Sequence, residues 1–151
     1  MTDEGGTGME GGAIVLASWL GTAAFAVTAL AAMAAGPGYP EQRPYYPAMV
    51  VALVLFVASL PLSLYALAKG AVRTAQNAER VTVGGLFFLS RSAPPVVRRS
   101  LLGSLAVCLV VTAATASAEP FGVLVPVWPL ALCGVWAARH GRFPPIPEPS
   151  R

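Results

Sequence analysis

The chain is short of charge, and what charge it has stays out of its apolar stretches. Of 151 residues only 11% are Asp, Glu, Lys or Arg, against 56% that are hydrophobic. A soluble domain is about one-quarter charged, so a core buried in water is excluded as the organising principle and lipid takes its place. Four runs, at about 12–35, 47–68, 100–118 and 121–138, contain no Asp, Glu, Lys, Arg or His. An ionisable residue inside a span costs about 3 kcal/mol and marks proton paths, ion sites and substrate sites. Its absence argues against an antiporter driven by a buried carboxylate.

Histidine and cysteine are equally scarce. The single histidine, His140 in ARHGRF, lies just past the fourth run and reads as a solvated interfacial residue. A pair of axial histidines for a b-type haem is missing. Cys108 and Cys133 both fall in apolar runs, with no CxxC and no metal-ligand spacing. They read as small apolar fillers, and a pairing between neighbouring helices stays open. The stretch MTDEGGTGMEGG has the glycines of a phosphate loop but not the GxxxxGK[ST] order. A basic face on a soluble fold, as nucleic-acid binding needs, is also lacking. No catalytic residue, cofactor or metal ligand is assigned, and the chain is expected not to be an enzyme.

What is present is four runs of around 20 residues, the length that crosses about 30 Å of hydrocarbon as a helix. The expected fold class is all-α: an integral membrane four-helix bundle with an interfacial cytoplasmic segment between helices 2 and 3. The expected organisation is a flexible cytoplasmic tail (1–11), a transmembrane domain (12–138) with a cytoplasmic loop (69–99), and a Pro-rich cytoplasmic tail (139–151). The first run follows acidic residues, where a secretory signal carries positive ones, so it reads as a retained helix.

Arginine outnumbers lysine nine to one, a bias that fits GC-rich coding. Nine of the ten basic residues lie in the loop between runs two and three or after run four; Arg43 is the exception. The positive-inside rule then places both termini in the cytoplasm of an inner (plasma) membrane. Tyr39, Tyr45 and Tyr46 fall at the outer headgroup level, Tyr65 and Trp136 at the inner one. Pro61, Pro126 and Pro129 should kink their helices, with Ser59 and Ser63 able to satisfy carbonyls freed near Pro61.

The stretch GGLFFLSRSAPPVVRR (84–99) mixes large apolar residues with arginines and prolines. Before it, Lys69, Arg73, Gln76 and Arg80 recur as one helical stripe, opposite Ala68, Ala71, Val72, Ala75 and Ala78. Apolar side chains at the headgroup–acyl boundary with arginines on lipid phosphate define an in-plane membrane element. The candidates for contact with an anionic inner leaflet are Arg73, Arg80, Phe87, Phe88, Arg91, Arg98 and Arg99. The competing reading is a cap packed on the bundle floor. Pro94-Pro95 suits the first turn of the third span, with Ser92 as its cap.

Small residues also recur along run one, at Ala17, Gly21, Ala24 and Thr28 and on through Ala31 and Ala35. Such stripes let helix backbones approach closely in lipid. The first four are helix-packing candidates, toward a helix of this chain or of another.

GGLFFLSRSAPPVVRR and FGVLVPVWPLALCGVWAARHGRFPP together resemble a group of small integral membrane proteins of actinobacteria that have about four spans and no known activity. That resemblance covers 83–145 and implies membrane topology and lineage, with no active residue to transfer. The functional expectation is a non-enzymatic accessory subunit or assembly factor of an envelope or respiratory membrane complex. It would touch membrane lipids and another membrane protein or a second copy of itself; the alternative is a small oligomeric transporter or channel.

Overall fold

The computed structural model describes residues 5–35, 46–77, 79–89, 92–117 and 120–145. Five α-helices follow in order: α1 Gly5–Ala34, α2 Tyr46–Asn77, α3 Val83–Phe87, α4 Pro95–Thr115 and α5 Val127–His140. A 3-10 turn, Pro120–Leu124, precedes α5. Four segments are long and apolar enough to cross a membrane: Gly11–Ala34, Tyr46–Gln76, Pro95–Thr115 and Pro120–His140. The chain is therefore an all-helical, multi-pass membrane protein.

Two buried clusters fix the helix directions. One gathers Ile14, Ala66, Leu101 and Cys133 with Trp136; the other gathers Phe25, Ala52, Cys108 and Val125. Residue numbers rise from the first cluster to the second in α1 and α4 and fall in α2 and α5, so the spans alternate up and down. The start of α1, the end of α2, α3, the start of α4 and the end of α5 all meet at one end, called here the arginine end.

Helix α5 is the centre. Every residue from 131 to 138 is buried, and it packs against α1, α2, α3 and α4. Small side chains make this possible. A Cβ on Gly134 would stand 2.8 Å from the Phe87 ring and 3.0 Å from Ala66 Cβ. Across the bundle the buried hydroxyls of Ser18 and Ser104 share a 2.6 Å hydrogen bond that ties α1 to α4.

Two expectations about the spans change. Helix α1 starts at Gly5, inside the stretch read as a flexible tail. Glycine costs about 1 kcal/mol per helical position, but extending an existing helix gains a hydrogen bond per residue without a new nucleation step. The fourth span is interrupted, where a kink was expected. Pro126 is the N-cap of α5 and Pro129 lies in its first turn, where missing donors cost nothing, and the chain before them winds as the 3-10 turn. Helix α2 does run unbroken through Pro61, and Ser59 Oγ donates to Phe56 O at 2.6 Å. The two cysteines, read from the sequence as small apolar fillers, are buried, free and in different clusters.

Candidate functional site

Helix α2 has 32 residues, about 48 Å at 1.5 Å each, so its last turns outrun a 30 Å hydrocarbon layer. There Arg73 turns inward. Its guanidinium pairs with Glu79 (Nε–Oε2 2.8 Å, Nη2–Oε1 3.2 Å) and donates to Gly141 O at 2.9 Å, reaching Ala137 O and Ala138 O at 3.4 Å. It also stands 5.0 Å from the centroid of the Phe143 ring. The last carbonyls of a helix lack intrahelical donors and carry partial negative charge, so a cation there is favoured. Arg73 therefore caps α5 in place of meeting lipid phosphate. The stripe expected from the sequence is broken at Arg73 alone: Lys69, Gln76 and Arg80 are exposed, whereas Arg73 is half-buried beside buried Gly70. Ala68, Ala71, Val72 and Ala75 also face outward, and Ala78 lies outside the described residues.

Residues 79–89 and 92–94 fold back beneath the helices. Thr82 Oγ1 caps α3 by accepting from Gly85 N at 3.0 Å. Leu86 and Leu89 turn in and are buried, while Val83 and Phe88 turn out, Phe88 with 51% exposure. Phe87 lies against Gly134. Leu89 has φ +54°, a left-handed conformation that costs a side-chain-bearing residue about 1–2 kcal/mol. Full burial of its side chain offsets that cost. Ser92, expected to cap α4, donates instead to Gly85 O at 2.7 Å. The N-cap of α4 is Pro94, which has no side-chain donor or acceptor to offer. Residues 141–145, part of the expected tail, are laced to this floor by Arg142 N to Ser92 O at 3.0 Å and Arg80 N to Pro144 O at 2.8 Å.

Of the other lipid candidates, Arg80, Arg98 and Arg99 are exposed at the same end, and Arg91 lies outside the described residues. The helix-packing candidates divide. Gly21 is buried and its missing Cβ makes room for the Trp128 indole, which also donates to Ala17 O at 3.3 Å. Ala24 is exposed, and Thr28 donates to the Ala24 and Phe25 carbonyls of its own helix. The half of the stripe nearer the arginine end thus holds α5 of the same chain.

A groove of about 960 Å³ opens at the arginine end between α1, the first turn of α4 and the end of α5. Trp136, only 5% exposed, lines it, and its indole nitrogen has no hydrogen-bond partner among the described residues. His140, one turn on, is tilted against it with ring centroids 5.5 Å apart, and its Nε2 is also buried without a partner. The sequence places both residues at the inner headgroup level; the structure turns the indole inward and folds the imidazole against it. An unpaired buried polar group costs about 1–3 kcal/mol, a cost these two groups share with Thr22 Oγ1. The pair was legible in principle, since residues four apart share a helix face. Among the described residues no group of three or more His, Cys, Asp or Glu side chains gathers as a metal site would need.

No known protein family, curated protein or solved structure matches the chain.

Proposed function

We propose that the chain is a non-enzymatic protein of the plasma membrane, with its arginine end and both termini in the cytosol. In this reading it serves as an accessory subunit or assembly factor of an envelope or respiratory membrane complex. The observation that carries the reading is how the arginines divide. Arg73 is consumed inside the fold, whereas Arg80, Arg98 and Arg99 stay exposed at the same end as the outward Val83 and Phe88. Exposed cations beside exposed apolar side chains suit the surface of an anionic leaflet. Above that end, α2 presents Val50, Val54, Val57 and Leu64 outward, a smooth apolar face for lipid or for a neighbouring helix.

Extraction of native membranes in mild detergent tests the role. The expected result is a complex with a stoichiometric membrane partner; a lone monomer at native expression contradicts it.

A further inference from the structure

We propose that the groove at the arginine end binds the phosphoryl headgroup of a membrane amphiphile. Its donors would be the Trp136 indole N–H, the Val96 and Val97 amides and the Arg142 guanidinium. Three independent features converge on this chemistry. First, Trp136 is buried, donor-only at its nitrogen and unpartnered, and it lies at the groove wall next to Gly11. A Cβ on Gly11 would stand 3.3 Å from that nitrogen. Second, Val96 and Val97 line the groove in the first turn of a 21-residue helix that has no side-chain cap. Their amides have no intrahelical acceptor, and such a terminus favours an anion. Third, Arg142 lines the groove, and an adjoining hollow that shares Ala93 is lined by Arg98 and Arg99. His140 adds a further donor in the tautomer that carries its proton on Nε2.

The rest of the groove explains why the phosphoryl group should carry a chain. Val15 and Val97 form apolar walls, and Val96, 76% exposed, continues them outward along α4. A headgroup seated on the donors leaves its acyl or isoprenoid chain against these side chains. The proposal goes beyond the association role and does not depend on which partner the protein has.

Native mass spectrometry of the purified full-length chain in detergent tests it, with phosphatidic acid, phosphatidylglycerol and diacylglycerol as lipids and glycerol 3-phosphate as the soluble arm. The expected result is one retained phospholipid per chain and none of the diacylglycerol. Trp136→Phe should weaken retention about tenfold or more, the value of one hydrogen bond to a charged acceptor. Because that change touches the core, Gly12→Leu serves as a second variant. Gly12 lines the groove with nothing within 4 Å of a Cβ, so the bundle should keep its stability while the groove is blocked. Lys69→Gln, at an exposed lysine off the groove, should bind like the parent. Glycerol 3-phosphate bound as tightly as lipid would support the phosphoryl site with a soluble source. Equal retention of diacylglycerol, or unchanged binding in Gly12→Leu, would overturn the proposal. Neither outcome bears on co-purification with a partner.

Discussion

Helices α2 and α5 are both apolar enough to span lipid, yet they occupy opposite places. Helix α5 has eight consecutive buried residues, whereas α2 keeps only Ala48, Ala52, Ser59, Ala66 and Gly70 out of reach. Those five recur at steps of four to seven and are all small, so α2 offers one narrow seam and turns its Val and Leu side chains outward. Helix α5 presents small residues on several sides: Ala131, Cys133, Gly134, Ala137 and Ala138. In lipid, apolarity does not select the interior, because the tails are as apolar as leucine. Size does. The residues that let a backbone approach from several directions identify the central helix.

This contrast can be broken most forcefully at the seat of Trp128. Gly21→Val would drive a branched side chain into the indole, and overpacking of that kind costs about 3 kcal/mol. A large fall in melting temperature in detergent is expected. Next comes Arg73→Met, which strips the end of α5 of its cap and leaves Glu79 without its cation. A loss of about 2 kcal/mol is expected, as for hydrogen bonds to charged groups. The double replacement with Glu79→Met should cost less than the single one, because no unpaired charge is left. Gly134→Ala comes third, at about 1 kcal/mol, since the Phe87 ring can yield part of the space. The smallest effect belongs to the outer face of α2. Val54→Ala, at a residue 60% exposed, should shift stability by less than about 0.5 kcal/mol. A large loss there would mean that this face is an interface between proteins.

The four spans were legible because length and hydropathy report directly on what crosses lipid. The start of α4 at Pro95 was legible as well, since a proline without a donor fits a first helical turn. The direction of Arg73 was not. A polar stripe on a helix normally faces water, as Lys69 and Gln76 do, and only the placement of the α5 carbonyls 64 to 68 residues away turns Arg73 inward. The break before α5 is hidden in the sequence for a similar reason: Pro126 and Pro129 read as kinks until the helix is known to begin between them. The groove at Trp136 and His140 depends on three helices meeting, which no local pattern encodes.

Reporter fusions test most directly the claim that the arginine end lies in the cytosol. Alkaline phosphatase is active only on the far side of the membrane. It should be silent when joined after Arg80 or Arg142 and active when joined between α1 and α2. Activity after Arg80 or Arg142 would contradict the account.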